Sequence, residues 1–217
     1  MYNIQPQYTA AQINKLSAID TALGTKDPYT QGHARRVSVY AMRLASRMGL
    51  TSEEVRHIGI GGMLHDVGKI GLNERIFDNT TGHLCQEMQA EVRRHPYLGV
   101  LLLKDSDFPT PVLDYIYYHH ERMDGSGYPC GLKADDIPLG AKIIAVADCF
   151  DAITTDRPYQ KRKSCREAIA LLHAMSGDTL CSDLVTAFVN EIEENGMIEY
   201  RFCNIAANPT PQIPNLM

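Results

Sequence analysis

Ala141-Lys142-Ile143-Ile144-Ala145-Val146-Ala147-Asp148-Cys149-Phe150-Asp151-Ala152-Ile153 is either a central strand or a central helix, and the fold class turns on which. On composition alone its apolar run fits a buried strand or a buried helix, because periodicity cannot separate the two when almost every residue is apolar. The two carboxylates favour the helix, since Asp148 and Asp151 stand three apart and so share one helical face. Strand signals are scarce in the rest of the chain, and the fold class expected is all-α. An aspartate inside such a run also needs a partner, because an isolated buried charge is very costly.

Helical patterns extend outward from this stretch on both sides. Ile13, Leu16, Ile19 and Leu23 recur at helical spacing over residues 10–23, and Gly24 to Pro28 is expected to end that helix. Residues 1–27 are read as an N-terminal connector or packing helix. Val37, Tyr40, Ala41, Leu44 and Met48 line one face of a helix over residues 30–48, with His33 in its first turn. Thr51 and Glu54 have capping-box spacing. The helix they start is expected to run past Gly59, Gly61 and Gly62 to His65-Asp66-Val67-Gly68-Lys69-Ile70, with Lys69 on the face of His65. Glycine costs about 0.8–1.0 kcal/mol against alanine inside a helix, so three of them imply close backbone packing or a bend.

A further helix over residues 85–103 must bend or restart at His95-Pro96. Pro109 and Pro111 open a helix that ends in Tyr117-Tyr118-His119-His120 and a glycine-rich turn. Two adjacent side chains on a helix diverge by about 100°, so His119 and His120 share a site only if it lies against the helix end. Two amphipathic helices over residues 164–175 and 182–194 follow, and the proline-bearing tail 196–217 is expected to be extended or disordered.

Composition excludes several functions. A chain of 217 residues with 44% apolar content is long enough for one large domain with a real core. A net charge of −5 without a basic run gives no surface for duplex nucleic acid. No apolar run approaches the roughly 20 residues of a membrane span, and the first residues lack a signal-peptide pattern, so the expected location is cytoplasmic. Six scattered cysteines show neither zinc-knot spacing nor a disulfide framework.

Seven residues in or beside these apolar helices are candidate metal ligands: His33, His65, Asp66, His95, His119, His120 and Asp148. Imidazoles and carboxylates without a cysteine suit two hard or borderline divalent ions such as iron or manganese. With Asp66 bridging, the set divides into His33, His65, Asp66 and Asp148 on one ion and Asp66, His95, His119 and His120 on the other. Asp151, one turn beyond Asp148, is a candidate to orient a ligand histidine by a hydrogen bond. Two bridged metals activate water for in-line displacement at phosphorus. Lys69 and Arg157 are then the cations available to hold phosphate oxygens, and Lys69 is a candidate to assist the leaving oxygen.

His65-Asp66-Val67-Gly68-Lys69-Ile70, His119-His120-Glu121 and Asp124-Gly125-Ser126-Gly127-Tyr128-Pro129 together resemble the HD-GYP family, a branch of the HD phosphohydrolases. Tyr29-Thr30-Gln31-Gly32-His33, His95-Pro96, Val146-Ala147-Asp148-Cys149-Phe150-Asp151-Ala152 and Asp156-Arg157-Pro158-Tyr159 extend the match over about residues 28–188. The resemblance implies an HD-type helical bundle over residues 28–195 with a metal site in its core. It implies a phosphodiesterase that opens cyclic di-GMP to pGpG and sometimes onward to GMP, with iron or manganese in a two- or three-metal centre. It also implies that the Gly-Tyr-Pro segment, including Tyr128, shapes the substrate pocket and contacts partners such as diguanylate cyclase domains. A homodimer is a further expectation.

Four departures from the family pattern bear on function. Asp78 to His83 replaces a Lys-Pro-Gly turn, Gln160 stands where a basic residue often follows the Arg-Pro-Tyr turn, and Leu180-Cys181-Ser182 replaces a Phe-Asp-Pro. Tyr29 occupies the place of the glutamate that three-metal members carry, which favours two ions. No proposed ligand is lost. The alternatives are hydrolysis of another cyclic dinucleotide such as cyclic GMP-AMP, or a weakly active signalling module acting through the Gly-Tyr-Pro surface. A di-iron oxygenase is disfavoured by the paired cations Lys69 and Arg157.

Overall fold

The computed structural model describes residues 10–76, 84–156 and 161–195. Among the described residues nine α-helices follow in order: α1 Ala10–Lys26, α2 Pro28–Arg47, α3 Ser52–Leu64, α4 Gln86–Val92, α5 His95–Leu103, α6 Thr110–Tyr118, α7 Leu139–Thr154, α8 Cys165–Met175 and α9 Ser182–Asn195. Short 3-10 turns span Val67–Gly71, Glu74–Ile76 and Ala134–Asp136, and there is no β-strand among the described residues. The protein is all-α. The run before Asp148 is helical as expected, and α7 buries Ile143, Ile144, Val146, Ala147 and Phe150.

Two apolar clusters meet across α3. The larger joins Val37, Tyr40 and Leu44 of α2, Ile58, Phe150 of α7, Leu172 of α8 and Phe188 of α9. Its Tyr40, Phe150 and Phe188 rings meet edge to face with centroids 5.2–6.2 Å apart, a favoured aromatic geometry. The smaller joins Ile60, Leu64, Val67, Leu103, Val112 and Ile116, with Leu16 and Ile19 of α1 packed against it. Because 58 and 60 point different ways from one helix, α3 is the shared wall. The Ser38 hydroxyl of α2 donates to the Gly59 carbonyl at 2.7 Å and ties the first two walls together. No helix in the described residues is long and apolar enough to cross a membrane.

Several boundaries differ from the sequence reading for physical reasons. Gly24 does not end α1, which continues to Lys26; α2 begins at Pro28, in the first-turn position where its missing N–H is harmless. The Asp27 side chain accepts from the Tyr29 N–H and caps α2. The helix expected to carry His65 through Ile70 stops at Leu64, and the chain passes through Asp66 at φ −96°, ψ 4° into the 3-10 turn. Lys69 therefore does not share the face of His65 by α-helical spacing. It folds back on Asp66 three residues earlier instead, Nζ to Oδ2 2.6 Å. Residues 85–103 form two helices with the break at Arg93 and Arg94, just before Pro96. The Arg157 turn, His83 and the tail 196–217 lie outside the described residues.

Candidate metal centre

Three histidines owe their orientation to helix ends. His65 follows α3, His95 follows the end of α4 and opens α5, and His119 follows α6. In each, Nδ1 lies 2.7 Å from the carbonyl oxygen three residues back: Gly62, Val92 and Ile116. Those carbonyls belong to last turns, where a helix leaves acceptors without N–H partners. A ring that donates from Nδ1 carries its neutral lone pair on Nε2, so one local rule aims three lone pairs away from their own helices. His33 sits inside α2 and is held differently. Its Nδ1 donates to Asp151 Oδ2 at 2.7 Å, and Asp151 in turn accepts from Arg36 Nε (2.6 Å) and Nη2 (3.0 Å).

The lone pairs converge. His33 Nε2 and His65 Nε2 are 3.2 Å apart, and His95 Nε2 and His119 Nε2 are 3.3 Å apart. Asp66 lies between the pairs: Oδ1 is 3.3 Å from His95 Nε2, and Oδ2 is 3.4 Å from His65 Nε2 and 3.7 Å from His33 Nε2. Asp148 Oδ1 is 3.1 Å from His33 Nε2. His120 stands against His119 with ring centroids 4.0 Å apart. Ligand atoms of His33, His65 and Asp66 lie within 4.8 Å of one another, as do those of His95, His119 and His120. The neutral His95 and His119 rings both donate from Nδ1, so their Nε2 lone pairs face each other and repel, and a cation between them removes the repulsion. The residues therefore fit divalent metal ions, with all-nitrogen and oxygen donors that exclude a preference for soft metals.

Protonation favours the same role. Burial pushes His95 down to about 3 and His120 down to about 4, and it holds His119 well below the usual imidazole range. Burial alone would raise Asp66, but Lys69, His65 and His95 outweigh it and keep the carboxylate ionised. Asp148 is held low against its own burial by His33. His33 is the exception: burial opposes its charge, but Asp148 and Asp151 overcome that and raise it to about 9. Neutral imidazoles and ionised carboxylates are the forms that bind metal.

The cluster opens onto a cavity of about 540 Å³ whose lining includes Lys69, Tyr128, Asp148, Met175 and Leu180. The turn bearing Lys69 is pressed against α5 so closely that a Cβ on Gly68 would overlap the His95 carbonyl oxygen. That contact sets how near His95 comes to Asp66. Of the residues singled out from sequence, His33, His65, Asp66, Lys69, His95, His119, His120, Tyr128 and Asp148 all line or adjoin this cavity, and Asp151 stands behind His33. Arg157 is not among the described residues.

A family model described as an HD domain matches residues 18–182. The chain belongs to the HD domain family. Its motif order is consistent with the HD-GYP branch. Over 156 residues it is 40% identical to a cyclic di-GMP phosphodiesterase of Pseudomonas aeruginosa, covering 71% of this chain and 37% of that protein. It is 38% identical to a cyclic di-GMP phosphodiesterase of Thermotoga maritima, with 76% and 45% covered. It is 36% identical to a 3′3′-cGAMP-specific phosphodiesterase of Vibrio cholerae, with 72% and 35% covered. The chain thus spans between a third and a half of the length of these relatives. In fold it is similar to a cyclic GMP-AMP phosphodiesterase of Vibrio cholerae (TM-score 0.66, 20% identity, 88% of this chain and 49% of that one). It is likewise similar to an HDGYP protein of Bdellovibrio bacteriovorus (TM-score 0.60, 24% identity, 74% and 51%).

This HD domain also uses residues that sequence reasoning passed over. Arg36 fixes Asp151 and carries no motif signal beyond standing three residues after His33. Glu121 is buried at 4% exposure and accepts from the backbone N–H groups of Cys130 (2.6 Å), Gly131 (3.1 Å) and Leu132 (2.9 Å). Its place after the histidine pair was visible in the sequence, but its partners, nine to eleven residues on, were not.

Proposed function

We propose that this chain is a metal-dependent phosphodiesterase that opens cyclic di-GMP to linear pGpG, and in some turnovers onward to GMP. One observation carries the reading: five imidazoles and two carboxylates converge on the floor of a cavity with a lysine at their edge. The names of the relatives support the substrate class. In the proposal His33, His65, Asp66 and Asp148 hold one ion and Asp66, His95, His119 and His120 the other, iron or manganese being the metals assigned. Bound there, the ions supply Lewis-acid polarisation of the phosphate and lower the pKa of water.

Hydrolysis requires a water oxygen to add to phosphorus in line as the P–O3′ bond breaks. The ribose leaves as a 3′-hydroxyl, and the phosphate stays on the 5′ carbon, which is pGpG. Lys69, with its ammonium 2.6 Å from Asp66, is assigned to hold a phosphate oxygen and give a proton to the leaving oxygen. Arg157 is assigned to the second phosphate on its sequence position, and Tyr128 to the pocket wall. Asp151 takes Nδ1 of His33 and so leaves Nε2 as the nitrogen that would hold an ion.

The deciding measurement is elemental analysis of protein purified without oxygen, paired with product chromatography on cyclic di-GMP and on cyclic GMP-AMP. Two iron or manganese ions per chain with conversion of cyclic di-GMP to pGpG is the expected result. Intact cyclic di-GMP beside a fully loaded site defeats it. Preference for cyclic GMP-AMP is the second reading, favoured by the 36% identical Vibrio cholerae relative. The proposal also takes in a cytoplasmic setting, docking of a diguanylate cyclase or other signalling protein on the Gly-Tyr-Pro segment, and a homodimer. Size-exclusion chromatography with and without a cyclase domain tests the two association claims.

A further inference from the structure

Four of the five clustered histidines have a ring nitrogen pinned by a hydrogen bond, His33 to Asp151 and the others to a helix-end carbonyl. Among the described residues no hydrogen bond pins His120. What faces it is a stack: the Tyr128 ring lies 4.7 Å away at 28° to it, on the side-chain pair it forms with His119. The Arg93 guanidinium lies 5.4 Å from the centre of the Tyr128 ring, within reach of a cation–π contact.

The backbone beneath Tyr128 is held at both ends. Its N–H donates to the His120 carbonyl at 3.1 Å. Just before it, Gly127 comes so close to His120 and Glu121 that a Cβ there would overlap the backbone of residues 120–122. Just after it, both oxygens of the buried Glu121 carboxylate take the N–H groups of residues 130–132. A carboxylate that is buried and accepts three N–H groups is a strong anchor. The loop of residues 127–132 is thus strapped to the residue that follows His120.

We propose that Glu121 is a positioning residue for the metal centre: by anchoring this loop it clamps the Tyr128 ring onto His120 and fixes the direction of that imidazole. The inference rests on the reading of His120 as a ligand. The clamp does for His120 what a carbonyl or carboxylate does for the other four, with ring contact in place of a hydrogen bond. Tyr128 can then serve the pocket only with whatever part of it is left free by His120.

Titration of the whole chain with Mn(II), followed by electron paramagnetic resonance of the free ion, reads the clamp without any turnover. Wild type is expected to bind two ions, and E121Q, which puts an amide N–H against the backbone donors, to weaken one of them by about ten- to a hundredfold, as loss of outer support typically does. Y128A should show the same loss and Y128F should bind as wild type, because the phenyl ring keeps the stack. A purely structural role for Glu121 would lower the melting midpoint without separating Y128A from Y128F. Equal Mn(II) affinities in wild type and E121Q overturn the proposal, as does a Y128A that binds like wild type. If E121Q does not fold, the Y128A and Y128F pair decides alone. Wild type that loads two ions but leaves cyclic dinucleotides intact defeats the hydrolase reading and leaves the clamp standing.

Discussion

With its side chain wholly out of solvent, Asp151 keeps its charge through the Arg36 guanidinium and the His33 imidazole. Removing one partner of a buried pair strands the other, which costs about 3–5 kcal/mol. R36A should therefore lower stability by about 3 kcal/mol, read as the urea midpoint at unchanged slope. Asp66 and Lys69 separate binding from chemistry at the same scale. Among the described residues, D66A takes away the only carboxylate within reach of His33, His65 and His95 together. It should strip metal and abolish turnover, checked by elemental analysis and product chromatography. Full hydrolysis by D66A would end the two-metal reading. K69A removes a cation and no donor to metal, so metal content should hold while the rate falls by about two to four orders of magnitude, the range of a lost general acid or charge clamp. Metal loss in K69A would mean that its role is misassigned.

Helix ends, rather than helix faces, supply most of the centre. α3, α4 and α6 all stop where a histidine can take up a last-turn carbonyl, and each stop is also where a new segment turns toward the cavity. Two of these ends are brought together by the press of the Val67–Gly71 turn against α5. In G68A the new methyl meets the His95 backbone oxygen, which no rotamer change can relieve. Overpacking of that kind costs about 3 kcal/mol at the upper end of its usual range. G68A should lose this stability by denaturant titration and bind Mn(II) more weakly as well, because the turn and α5 cannot separate without parting Asp66 from His95. Wild-type metal affinity in a destabilised G68A would show that the two are not geometrically linked.

On the scale of the molecule, α3 belongs to both apolar clusters and joins them into one body, and the ligands come from both sides of it. His33 and Asp148 are carried by elements of the larger cluster. His65, Asp66, His95 and His119 are carried at the ends of elements in or beside the smaller. Metal ions would thus cross-link the halves, and a ligand that binds only the folded chain stabilises it by mass action. Mn(II) at a hundred times its dissociation constant should add about 2.7 kcal/mol, which for a chain of this size raises the melting midpoint by roughly 5–11 °C. Scanning calorimetry with and without the ion checks this, and D66A should show no rise.

Much of this was legible because it is local. The apolar periodicities of α2, α7 and α9, the Thr51–Glu54 and Ser164–Glu167 capping boxes and the Pro96 break depend on residues within a turn of one another. So does the presence of histidine and aspartate inside apolar runs, which marks a site because buried charge needs a partner. The end of α3 at Leu64 and the course of Lys69 were not legible. They follow from the turn being pressed onto α5, where Gly68 meets the His95 carbonyl from far along the sequence, and local pattern favoured continuing the helix. Arg36 and Glu121 stayed silent for the same reason, since a charged residue is read as surface until its distant partner is seen. Which side chains were candidate ligands, and that they sat on or beside helices, was readable from local sequence, because helix formation and capping are short-range. Which nitrogens face one another, what holds each ring and which carboxylate lies between them came from the packing, because those depend on how helices far apart in sequence meet across one shared core.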